Sequence, residues 1–393
     1  MNSFVSGPPA SYHEGLPRPR VDLIYFNAGA GHRSATLALE AVLKSQQRPW
    51  DIRLVNLNEI LAPTDIFRKL TGHGLEDIYN FILKKGWTLG TRQALPLMHG
   101  VIRLFHPAQV RLIEEFWRQS TPDLAVSLIP NFNRAMLEAL RRVTPRTPFV
   151  TILTDMADFP PRFWLEPQEQ HVVCGTGKAV AQARAMGFRD ELIHPVSGMI
   201  LRPSFYDPPA WDRASELTRL GLDPARPTGL ALFGGQGAPV MLDLVRRLQC
   251  ASRPLQIILM CGHNDKLAAR LRALPTRIPV HVEGFTTEVP RFMAISDFMI
   301  GKPGPGSISE AMAMKLPVIV ERNAWTMPQE RYNCDWLLER GAGLVLKSFR
   351  DIGPAVERLL EPGMLARLQA GAAAIDNRAV FEIAALLEKL IPA

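Results

Sequence analysis

Residues 21–57 read VDLIYFNAGAGHRSATLALEAVLKSQQRPWDIRLVNL. The first seven, Val21–Asn27, are apolar and rich in β-formers, so they predict a short strand. A tight run follows, Ala28-Gly29-Ala30-Gly31-His32. From Arg33 to about Gln47 the residues Ala35, Leu37, Ala38, Val42 and Leu43 fall mostly on one face, as a helix requires. Ile52–Leu57 then predicts a second strand. Strand, helix and strand in this order imply a parallel sheet with right-handed crossovers.

The same rhythm continues outward. Leu124–Ile129 and Phe149–Thr154 predict strands, with a helix near Arg134–Val143 between them. Val172–Cys174 and a helix from Lys178 to Met186 follow. Pro195–Arg226 interrupts the pattern with Pro203, Pro208, Pro209, Gly221 and Pro224, which predicts a linker at 202–227. A second series begins at Thr228–Phe233. It runs through strands Gln256–Met260, Pro279–Val282, Phe298–Ile300, Pro317–Val320 and Gly343–Leu346. Helices are expected near Asp351–Leu360 and Met364–Leu390. The fold class is therefore α/β, with two doubly wound, Rossmann-like domains, 21–201 and 228–375, facing across a cleft. Residues 376–393 are expected to form a terminal helix that packs back toward the first domain.

The whole-chain figures agree. A length of 393 residues allows two domains, or three by length alone, at about 150 residues each. With 47% apolar and 21% charged residues the chain can bury sizeable cores. No apolar run reaches the roughly 18 residues that span a bilayer. Residues 1–20 read as a disordered lead of Pro, Gly and Ser without the apolar segment of a signal peptide. Four cysteines without CxxC spacing suit a reducing compartment and argue against structural zinc. Lys and Arg exceed Asp and Glu by 45 to 38, which suggests an anionic partner: nucleic acid, an acidic membrane surface or a phosphorylated ligand.

Three glycine loops end predicted strands. Gly29-x-Gly31-His32 lets a ligand approach the backbone at a helix start, although Ser34 stands where a dinucleotide fingerprint has its third glycine. His32 at the mouth of a cleft can act as a general base, or it can be incidental to the helix start. Phe233-Gly234-Gly235-Gln236-Gly237 is the second loop. The third, Gly301-Lys302-Pro303-Gly304-Pro305-Gly306-Ser307, opens a helix whose amides and dipole can hold a diphosphate. Glu310, one turn inside, could accept ribose hydroxyls. Asp155 and Asp158 form D-x-x-D, a spacing other than the D-x-D of carboxylate metal sites. Asp155 is read either as a strand-end turn residue or as one that orients the acceptor or His32. Residues 65–118 interleave aromatic and basic residues. Lys84, Lys85 and Trp87 suit an anionic membrane surface, and an ordinary helical insertion with a solvated basic face is the alternative.

Ten stretches together carry a family resemblance: GAGHRSA (29–35), LTD (153–155), LRPSF (201–205), GLDPARP (221–227), FGGQG (233–237), MCGHNDKL (260–267), VEGFT (282–286), KPGPGSISEAMAMKLPVIV (302–320), MPQERYN (327–333) and GAG (341–343). The chain resembles the monogalactosyldiacylglycerol synthases and their processive diacylglycerol glucosyltransferase relatives. The lipid II-forming GlcNAc transferase is a more distant cousin. The resemblance implies the GT-B fold and a UDP-sugar donor. It implies His32 as the base, with Gly29 and Gly31 bordering the acceptor and the leaving phosphate. It places uracil near Phe285, the diphosphate on Gly304, Gly306 and Ser307, and the ribose on Glu310. Gln329 and Glu330 would reach the donor sugar, and Asn333 would support their loop. Gly234, Gly235 and Asn264 lie in matching donor-side loops. The first loop is poorer in glycine than is usual in the family, and the run Ala157–Trp164 departs from the plant pattern.

These roles imply an inverting transfer of galactose or glucose from a UDP-sugar to a lipid, diacylglycerol by analogy, giving a β-glycolipid. No cofactor and no obligatory metal ion are expected. The partners would be the UDP-sugar and a lipid acceptor in an anionic membrane, with the protein cytoplasmic and peripheral on the inner face of the cell membrane. The alternatives are a soluble acceptor, a UDP-sugar 2-epimerase, or a non-catalytic UDP-sugar or lipid-binding protein. A nucleic-acid partner is not expected, since no recognised binding pattern is present.

Overall fold

The computed structural model describes residues 18–27, 31–64, 100 and 102–391. Two sheets organise them. Strands β1 to β6 of the first are Arg20–Tyr25, Asp51–Asn56, Leu124–Ser127, Phe149–Ile152, His171–Cys174 and Ile193–Pro195. They pair in the order β2-β1-β3-β4-β5-β6, parallel throughout. Strands β7 to β12 of the second are Thr228–Leu232, Gln256–Met260, Val280–Glu283, Phe298–Gly301, Val318–Glu321 and Gly343–Leu346. Their order is β12-β11-β10-β7-β8-β9, again parallel.

Helices cover both faces, so the central strands are buried on both sides and read as continuous apolar runs. In the first half, Leu23, Leu39, Val126 and Val150 form one layer, and Ile24, Ile113, Trp117 and Ala125 form the other. In each sheet the chain reverses direction of growth beside its first strand. Those switch points lie between β1 and β3 and between β7 and β10, and their carboxyl-end crevices are where ligands bind in such sheets.

Three details differ from the sequence reading. Ile193–Pro195 is a strand, too short and too close to proline to read as one; it lies at the sheet edge, where proline is tolerated. Residues 202–227 are not a bare linker. They hold a helix, Arg213–Arg219, capped by the Asp212 carboxylate, and they bury Phe205, Leu217 and Leu222 in the core of the second half. The span Met364–Leu390 is two helices, Met364–Ala373 and Ala379–Leu390. At the break Asn377 is nearly buried, accepts from the Ala379 N–H at 3.0 Å and donates to the Met199 carbonyl at 2.8 Å. This crossing lets the last helix place Val380, Ile383, Ala384 and Leu387 in the core of the first half.

Candidate active site

β1 feeds the helix Gly31–Ser45. His32 is its second residue, and at Gly31 the space a side chain would take is open. The His32 Nδ1 lies 3.0 Å from the Leu128 carbonyl oxygen and 3.1 Å from the Thr154 Oγ1. A carbonyl can only accept, so Nδ1 carries the proton and Nε2 keeps its lone pair. Leu128 directly follows β3, which puts this imidazole at the first switch point. Burial pushes the His32 pKa down from the usual 6.5 to about 4, against the opposing pull of the Leu128 hydrogen bond. The ring is therefore neutral near pH 7 and oriented as a proton acceptor.

Trp164 packs beside it, ring centroids 5.7 Å apart. Its Nε1 donates to the Asp155 Oδ2 at 2.8 Å. The hydroxyl that touches His32 thus comes from Thr154, and the carboxylate one residue later is held by Trp164. Burial raises the Asp155 pKa to about 6; the Trp164 hydrogen bond lowers it and the nearby Asp158 charge adds to the rise. Asp158 has a different task. It is almost fully buried and accepts from the backbone N–H groups of Arg162 at 2.8 Å and Trp164 at 2.6 Å. Those bonds wind the loop that presents Trp164 and hold Arg162 in the left-handed region at φ 69°.

In the second half, the loop after β7 and the loop after β8 clasp each other. The His263 N–H donates to the Gly235 carbonyl at 2.9 Å, and a side chain at Gly262 would sit 2.1 Å from that same oxygen. Asn264 donates to the Gln236 carbonyl at 3.1 Å and accepts from the Leu267 N–H at 3.0 Å as the cap of helix Asp265–Arg272. Its carboxamide is thus engaged in shaping these loops. Gly234 and Gly235 leave open space above the turn. Phe285 is 59% exposed and lies flat on His263, centroids 3.8 Å apart. The pair offers a flat aromatic surface.

The third loop leads from β10 into helix Pro305–Ala313. The Ser307 hydroxyl donates to the Gly304 carbonyl at 3.2 Å, and nothing occupies the space a side chain at Gly306 would fill. Asn333, fully buried, donates to the Pro303 carbonyl at 2.7 Å and fixes the turn from below. Glu310 lies one turn along, with Arg202 at 3.9 Å. Gln329 and Glu330 stand on the turn Pro328–Glu330, and the Glu330 Oε1 lies 3.8 Å from where a Gly304 side chain would begin. Burial raises both Glu310 and Glu330 to about 7. The Arg202 charge opposes the first shift. Lys302 opposes the second, while Asp155 adds to it.

The Asp155 charge, from the first half, contributes to the rise at Glu330 in the second. Contacts link His32, Trp164 and Asp155 on one side and Glu330 and the Gly304 turn on the other. Gly29, Lys84, Lys85 and Trp87 lie outside the described residues. Among the described residues no group of three or more His, Cys, Asp or Glu side chains is placed to hold a metal ion. Thr154, Trp164, Arg202 and Lys302 received no role from the sequence, although Thr154, Arg202 and Lys302 sit inside the stretches LTD, LRPSF and KPGPGS.

Two parallel six-stranded sheets, the second carrying a glycine turn at a helix start, define the architecture: the GT-B fold. Residues 230–348 match the glycosyltransferase family 28 C-terminal domain. Over 371 residues the chain is 28% identical to monogalactosyldiacylglycerol synthase 1, chloroplastic, of Arabidopsis thaliana, covering 87% of this chain and 66% of that one. MurG of Acinetobacter baumannii superposes with a TM-score of 0.61 at 15% identity, over 95% of this chain and 100% of that one. Anabaena Alr3699/HepE, solved with UDP and glucose, gives 0.53 at 14% identity, over 95% and 99%. The chain is thus similar to the monogalactosyldiacylglycerol synthases over most of its length, and its second half carries the family 28 C-terminal match. It spans just under two thirds of the length of the Arabidopsis relative.

Proposed function

We propose that the protein moves a hexose, galactose or glucose, from a UDP-sugar to the hydroxyl of a lipid acceptor of the diacylglycerol class, with inversion at the anomeric carbon. The observation that carries this reading is the held tautomer of His32. Its Nδ1–H is committed to Leu128, so Nε2 is left to take a proton, in the same site as the glycine turn of the donor half. The acceptor oxygen attacks the anomeric carbon, its proton passes to the His32 Nε2, and the bond to the diphosphate breaks with its electron pair. The helix start at Gly304–Ser307 faces the departing anion with free amides. Glu310 would take the ribose, Gln329 and Glu330 the hexose, and the Phe285–His263 stack the uracil. No cofactor is required in this scheme. The UDP and glucose bound by the Anabaena neighbour support the donor, and the name of the plant relative supports the lipid.

Membrane contact would be peripheral, on the inner face of the cell membrane. No helix among the described residues is long and apolar enough to cross a bilayer. Leu104, 74% exposed beside Arg103, extends the basic and aromatic segment that holds Lys84, Lys85 and Trp87. The test is incubation with each labelled UDP-hexose and diacylglycerol in anionic vesicles, followed by product analysis. A β-linked glycolipid is expected. An α-linked product, or none with any donor, overturns the reading.

A further inference from the structure

Trp164 touches both titratable groups on the acceptor side. Its ring stands 5.7 Å from the His32 ring, and its Nε1 donates to the Asp155 Oδ2 at 2.8 Å. Asp155 directly follows Thr154, whose hydroxyl lies 3.1 Å from the His32 Nδ1. The carboxylate thus leaves the same turn of chain as a group that touches the imidazole. The indole is not free to withdraw. It is fully buried, and the Trp164 carbonyl accepts from the Asn133 Nδ2 at 3.3 Å. The same amide donates to the Ile129 carbonyl at 3.1 Å, and the Asn131 N–H donates to the Phe163 carbonyl at 2.8 Å. These bonds staple the loop after β3, which supplies the Leu128 carbonyl, to the loop after β4, which supplies Trp164. Gln182 fixes the latter loop from its own helix, accepting from the Asp158 N–H and donating to the Asp158 carbonyl, both at 2.9 Å. The groups that bond or stack on His32 are the neutral Leu128 carbonyl, Thr154 hydroxyl and indole. The charge of Asp158 acts on Asp155, and the charge of Asp155 acts on Glu330 of the second half.

We propose that Trp164 is a positioning residue: its indole N–H takes the Asp155 carboxylate and keeps that charge off His32, so that the imidazole meets the acceptor unprotonated. The proposal rests on the reading of His32 as the base. A carboxylate within reach of an imidazolium favours the charged ring and raises its pKa by about 1–3. A ring that already holds its second proton has no lone pair for the acceptor hydroxyl. With Asp155 on Trp164, burial and the opposing Leu128 bond are what set the low pKa of His32. Asp155, raised by burial to about 6 against the Trp164 bond, is a carboxylate above that pH and needs a donor. Without the indole N–H, that buried charge would draw on the Thr154 hydroxyl and the His32 ring instead.

Nuclear magnetic resonance of the full chain, with labelled histidine and tryptophan, reads both groups directly. In wild type the Trp164 indole N–H should titrate with Asp155 at about pH 6, while the His32 ring stays neutral through that midpoint. A His32 ring that follows the Asp155 midpoint overturns the proposal. W164F should raise the proton affinity of His32 tenfold or more, the usual effect of a neighbouring opposite charge, and adding D155N should return it to the wild-type value. The acid limb of kcat/KM should move to higher pH in W164F and back again in the double variant. An unchanged His32 titration in W164F overturns the proposal. So does a rise that persists in the double variant, which would mark water entering a loosened pocket. Failure of the base reading shows elsewhere, as a His32→Ala variant that transfers at the wild-type rate, so the two failures are told apart.

Discussion

His32 shows how one backbone carbonyl can set a side chain's chemistry. Because Leu128 takes the Nδ1 proton, the ring presents a lone pair. Burial keeps it neutral down to about pH 4. The folded chain then binds fewer protons than the unfolded chain between about pH 4 and 6.5. The stability His32 contributes is complete above the unfolded value and is lost as pH falls through that window. Glu310 and Glu330 act in the opposite sense. Raised from 4.5 to about 7, they keep protons that the unfolded chain has already released, so their contribution falls as pH rises between those values. Glu330→Gln should therefore raise the melting temperature over wild type at about pH 8 and leave it unchanged at about pH 4.5. Thermal melts at the two pH values check this, and an equal difference at both contradicts it. Glycine turns at predicted strand ends singled out His32 and the third loop as candidates, and the structure places both at helix starts that follow parallel strands. The sequence could not show Trp164 between His32 and Asp155, because that contact depends on a loop wound around Asp158. Nor could it show that Arg202 in LRPSF reaches a glutamate more than a hundred residues away.

At the scale of elements, β1 carries the least expected core residue. Alternation along Arg20–Tyr25 turns Asp22 into the layer between sheet and helix, where it is fully buried. Arg53 of β2 meets it with two bonds, 2.8 and 2.6 Å, and the Trp117 Nε1 donates at 2.9 Å. Arg53 also donates to the Ser120 carbonyl at 2.9 Å and lies over Phe116 at 4.6 Å. The network fastens the two strands to the helix His106–Gln119, and every acceptor on Asp22 matters because the carboxylate is fully buried. Asp22→Ala should cost about 3–5 kcal/mol by urea unfolding, since it leaves the arginine's partner site empty in the core. A loss well under 1 kcal/mol would show the pair to be incidental. Most strands could be read within a residue or two because burial on both faces makes them uniform apolar runs, as in Gln256–Met260. Ile193–Pro195 escaped because three residues cannot show a period. The helix break at 374–378 escaped because alanine-rich sequence runs on both sides of Asn377.

At the scale of the whole molecule, function depends on keeping the two halves in register. Three connections do so: the packed segment 202–227, the return of Ala379–Leu390 to the first core, and the Met156 side chain buried in the second. They tie the half that carries His32 to the half that carries the Gly304 turn. A base that acts only in the chemical step should be removable without loss of donor binding. The decisive measurement is the single-turnover rate of transfer from UDP-hexose to diacylglycerol by His32→Ala, with UDP-hexose affinity measured on the same preparation. The rate should fall roughly a hundredfold or more while donor affinity holds. A folded variant that binds donor and transfers at the wild-type rate would contradict His32 as the base.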